Sequence, residues 1–130
     1  MSNQLAVLFP GIGYHIDKPL LYYSAKLARA RGYDLLAVQY PALPTGLRGH
    51  AEKIEQAVQT ALSAAEEQLA AIDWTAYDRV FFLSKSIGTA IAARYAVQHN
   101  IHPRQVYYTP IEQALPYLDP TGIAFHGTAD

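Results

Sequence analysis

The sequence predicts a three-layer α/β sandwich built on a mostly parallel sheet of about five strands. Two observations lead there. The runs Leu5-Ala6-Val7-Leu8-Phe9, Leu35-Leu36-Ala37-Val38 and Val80-Phe81-Phe82-Leu83 are continuously apolar, as expected of strands covered on both faces. The stretches between them carry helical signals, and parallel strands need long crossovers of that kind.

The elements follow in order. After the first run, residues 17–31 read as a helix, with Asp17 and Pro19 suited to its start and Gly32 to the position just past its end. The stretch 41–46, with two prolines and a glycine, is a loop after the second strand and not a domain boundary. From 50 to 72, Ile54, Val58, Leu62, Ala65, Leu69 and Ile72 recur every three or four residues. Glu52, Glu55, Gln59, Glu66 and Glu67 fall on the other faces of this helix and are expected to be solvated surface rather than a metal site. Trp74 and Tyr77 are expected to pack over the sheet edge before the third strand. A helix over 86–98, a fourth strand over 105–109 and a fifth over 123–126 complete the alternation. No repeat or linker interrupts it.

Composition narrows the function. The 130 residues are 51% hydrophobic and 16% charged, with 10 Lys and Arg against 11 Asp and Glu, which fits one soluble domain. A net charge of −1, with the basic residues scattered, offers no field for a phosphate backbone, so nucleic acid is not an expected partner. No apolar stretch approaches the roughly 20 residues of a membrane span, and Pro10 breaks the first apolar run before it resembles a signal peptide. The absence of Cys removes disulfides, thiolate metal sites and a cysteine nucleophile. Cytoplasm is the expected compartment.

In open α/β sheets ligands bind beyond the carboxyl ends of the strands. The third strand runs into Ser84-Lys85-Ser86-Ile87-Gly88 and then a helix, a strand-turn-helix with small residues two before and two after Ser86. A turn this tight needs small flanks, raises the central hydroxyl above the sheet, and aims the Ile87 N–H at a developing oxyanion. Ser86 acting only as a helix cap is the alternative. The first strand ends in Pro10-Gly11-Ile12-Gly13-Tyr14, and the fifth in His126-Gly127-Thr128-Ala129-Asp130.

These three segments, in this order and at these strand ends, resemble the α/β-hydrolase family, and the resemblance runs from Leu5 to Asp130. It implies an α/β-hydrolase-like sandwich with Ser86 as nucleophile, Asp130 as the acid orienting a histidine, and the N–H groups of Ile12 and Ile87 as oxyanion donors. Gly11 or Gly13 is the alternative to Ile12. Tyr14, His15 and Thr109 would border a small-molecule acyl substrate, an ester, thioester or amide. No metal or organic cofactor is implied. The family places its histidine after the acid, so the chain is expected to be the front part of a longer domain, with little turnover by itself.

The histidines present are poor substitutes. His126 reads as a strand residue. His99 and His102 lie past the far end of the Ser86 helix, and His15 and His50 sit on loops that shape binding. Lys85 is expected at the surface near the sheet edge, which argues against a Ser-Lys dyad. Gly11-Ile12-Gly13 opens a dinucleotide-like pattern, but Ile16 stands where its third glycine is needed, and there is no P-loop. Of the ten tyrosines, Tyr14, Tyr40 and Tyr108 fall near strand carboxyl ends, while Tyr22, Tyr23 and Tyr95 are expected at solvated rims. Two rivals remain, a non-catalytic ligand-binding or interaction member of the fold, and an acyltransferase using the same serine.

Overall fold

The structure is a computed structural model and describes residues 3–11, 19–43, 46–47 and 49–126. Five parallel strands, β1 (Gln4–Phe9), β2 (Asp34–Ala37), β3 (Arg79–Lys85), β4 (Arg104–Tyr108) and β5 (Ile123–Phe125), form one sheet in the order β2-β1-β3-β4-β5. The helices are α1 (Pro19–Ala30), α2 (Ala51–Leu69) and α3 (Ile87–Gln98). The expected α/β class holds.

Parallel central strands bury both faces, and β1 does so from Leu5 to Phe9. Because side chains alternate, its residues divide between two cores. Leu5, Val7 and Phe9 join Phe82 against α2 and α3. Ala6 and Leu8 join Leu21 and Leu83 beneath α1. The α1 face thins toward β5, where Ile123 and Phe125 are about half exposed.

The crossover from β4 to β5 is a 3-10 helix, Glu112–Tyr117; Pro116 lies inside it, and Pro110 and Pro120 bracket it. Three expectations need correction. Tyr95 is buried, because α3 is enclosed from Ile87 to Ala96 between the sheet, α2 and that 3-10 helix. Trp74 packs edge-on to Phe82 of the central strand β3 and to Tyr95, with centroids 5.7 and 5.9 Å away, instead of over the sheet edge. The acidic side of α2 is only partly solvent: Glu55 forms a two-point ion pair with Arg94, both contacts 2.7 Å, and Glu66 meets His99 at 2.6 Å.

Arg94 ties three elements together. Its guanidinium also donates to the Gln113 carbonyl oxygen at 3.0 Å and stacks 4.9 Å from the centre of the Tyr117 ring. The Arg94 hydrogen bonds hold the Glu55 carboxyl down to about 2.

Candidate active site

The strand order reverses at β1: the chain passes from β1 outward to β2, then returns to the other side of β1 as β3. Such a switch point leaves a crevice at the carboxyl ends of the two strands, because their outgoing connections turn to opposite faces. The turn after β1 and the Ser86 turn after β3 both open there, with Phe9 and Ser84 side by side in register.

Ser86 has φ 54° and ψ −121°, a backbone conformation that side chains disfavour. The fold forces it. Ser86 N donates to the Tyr108 carbonyl oxygen at 2.9 Å, and Ser86 O accepts from Thr89 N at 2.9 Å and Thr89 Oγ1 at 2.6 Å, so the turn is pinned on both sides. The small flanks are needed as expected. Ser84 is fully buried, and a β-carbon on Gly88 would lie 2.0 Å from the Phe9 carbonyl oxygen.

The capping alternative for Ser86 does not hold. Its side chain makes no capping bond, and it has no hydrogen-bond partner among the described residues. Ser86 is half-buried. The Ile87 N–H, first in α3, likewise donates to no backbone acceptor among the described residues, as expected of a helix N-terminus. The helix dipole adds a partial positive charge at the same place.

A solved structure from Xanthomonas campestris, described as a candidate hydrolase of the alpha/beta superfamily, superposes on this chain with a TM-score of 0.59 at 20% identity. The match covers 95% of this chain and 66% of that one. The chain shares the α/β fold of that structure, helices packed on an all-parallel five-stranded sheet. No family model matches it, and no curated protein matches it.

Within this fold, Ser86 and Ile87 stand together at the β3–α3 turn. Ile12, Tyr14, His15 and Asp130 lie outside the described residues. Thr109 follows β4 with φ 48°, and its hydroxyl donates to the Tyr108 carbonyl oxygen at 2.8 Å while accepting from Lys85 Nζ at 2.7 Å. Lys85 is therefore not a surface residue at a sheet edge. It ends the central strand, half-buried, and reaches across to the end of β4. The sequence placed both residues at strand ends, but only the register Lys85 to Tyr108 brings them together.

None of the described histidines hydrogen-bonds Ser86. His99 ends α3, the far end of a 12-residue helix and so about 18 Å away. There it stacks on Tyr95 and bonds Glu66. His50 precedes α2, and His126 is exposed one residue past β5 instead of within it. Of the tyrosines at the strand ends, Tyr108 shares a hydroxyl–hydroxyl hydrogen bond with Ser24 Oγ at 3.0 Å and stacks on Phe125. Tyr40 carries a buried hydroxyl with no partner among the described residues, and burial raises its pKa. Among those residues no cluster of carboxylates and imidazoles suits a metal ion. No described helix is long and apolar enough to cross a membrane.

Proposed function

We propose that this protein is a serine hydrolase acting on a small ester, thioester or amide through an acyl-Ser86 intermediate. The observation that carries this reading is the backbone of Ser86, held at φ 54° and ψ −121° in a half-buried turn with a hydroxyl that makes no capping bond. Strain at a functional turn is retained where it aims a side chain that an ordinary helix cap would spend on the backbone.

In this mechanism Ser86 Oγ attacks the substrate carbonyl carbon while a histidine takes its proton. The negative oxygen that forms is met by the Ile87 N–H and by a second N–H from the turn after β1, assigned to Ile12. The leaving group departs with the proton, and water, activated by the same histidine, releases the acid. Asp130 keeps that histidine in the productive tautomer, and the family order puts the histidine later in sequence than the acid. Tyr14, His15 and Thr109 border the acyl group.

The test is a fluorophosphonate probe read by intact mass. One adduct on the protein, lost in Ser86→Ala, is the expected result. An unlabelled protein that nevertheless binds acyl ligands would favour the non-catalytic rival. Transfer of the acyl group to an added alcohol in preference to water would mark an acyltransferase.

A further inference from the structure

A pocket of about 540 Å³ opens between α1 and the edge strand β2. It lies on the α1 face of the sheet, whereas α3, which follows the Ser86 turn, packs on the other face. Leu8, Ala25, Leu35 and Ala37 make an apolar floor. Tyr22, Lys26 and Arg29 share one stripe of α1 and line the rim.

The two cations are the unexplained part. Arg29 sits in the last turn of α1, where the helix dipole favours positive charge, but Lys26 has no such reason to be there. Lys26 Nζ lies 5.2 Å from the centre of the Tyr22 ring, a contact that leaves its N–H donors unused. Neither Lys26 nor Arg29 has a carboxylate partner among the described residues. An apolar cavity with paired donors at its mouth matches a molecule with one greasy end and one negative end.

We infer that this pocket binds an unbranched alkyl carboxylate of medium chain length. Its chain lies along Leu8, Leu35 and Ala37, and its head group meets Lys26 and Arg29. The site is separate from the Ser86 turn and needs no chemistry there. Each methylene moved from water into such a pocket strengthens binding about fourfold.

Isothermal titration calorimetry with octanoate, decanoate and 1-octanol tests this. Decanoate is expected to bind once per chain, roughly fifteenfold more tightly than octanoate, while 1-octanol binds at least fivefold more weakly than octanoate. The double variant Lys26→Gln, Arg29→Gln changes only exposed positions, so its circular dichroism and melting should match the parent. Its decanoate affinity should fall about tenfold, and that of Ser86→Ala should not change. Equal affinity for octanol and octanoate, or an unaltered double variant, overturns the assignment, and so does loss of binding in Ser86→Ala. Co-sedimentation with phosphatidylglycerol vesicles in the absence of decanoate binding would give the two cations to a membrane surface instead and equally overturn it.

Discussion

The carbonyl oxygen of Phe9 occupies the space that a side chain on Gly88 would need, 2.0 Å from an ideal β-carbon. The end of β1 and the first turn of α3 thus touch backbone to backbone, and the strained turn at Ser86 is held by that contact. Neither partner can retreat: Phe9 is fully buried, and β1 is hydrogen-bonded on both sides.

Gly88→Ala therefore forces strand and helix apart. We expect a loss of about 3 kcal/mol or more, comparable to overpacking a rigid core, or failure to fold. Urea unfolding followed by circular dichroism checks it, and a variant as stable as the parent would refute the contact.

Ser86→Gly should act in the opposite sense. Glycine adopts φ 54°, ψ −121° without a β-carbon penalty, so the variant gains about 1 kcal/mol while losing fluorophosphonate labelling. A gain in stability with loss of labelling is the pattern of a strained functional turn. A glycine variant less stable than the parent would mean that the hydroxyl carries structural weight.

Arg94 should matter more than a surface cation. Arg94→Ala removes the Glu55 pair, the bonds to the Gln113 carbonyl oxygen and the Tyr117 stack together. Arg94 is 8% exposed, so we expect a loss of about 2–3 kcal/mol. Hydrogen exchange should accelerate first in Glu112–Tyr117, the segment that loses its anchor.

Acid should weaken the same junction. The Glu55 carboxyl ionises near 2 in the folded protein against 4.5 in the unfolded chain. Its contribution is thus complete above pH 4.5 and is lost as pH falls from there toward 2. The Glu55 side chain is 41% exposed, so solvent screening reduces that contribution to about 1–2 kcal/mol. Urea midpoints measured from pH 7 down to pH 3 should fall less steeply in Glu55→Gln than in the parent.

Tyr107→Phe isolates one buried hydroxyl. That oxygen accepts from Asp119 N at 3.0 Å and holds the loop leading to β5. Its removal leaves the N–H without an acceptor and should cost about 1–2 kcal/mol, read from the melting curve. An unchanged midpoint would mean that water replaces the hydroxyl there.

The layered α/β class, the order of its strands and helices along the chain, and the small residues around Ser86 could all be read from the amino-acid order. Burial on both faces, helical periodicity and steric crowding at a turn are local demands that leave a local mark. The positive φ of Ser86, the Lys85 to Thr109 bridge, the Arg94 junction and the burial of Tyr95 left no such mark. Each depends on which strands become neighbours and in what register, and on which helix covers which face. Those choices are made by packing between residues far apart in the chain, and only the assembled tertiary structure contains them.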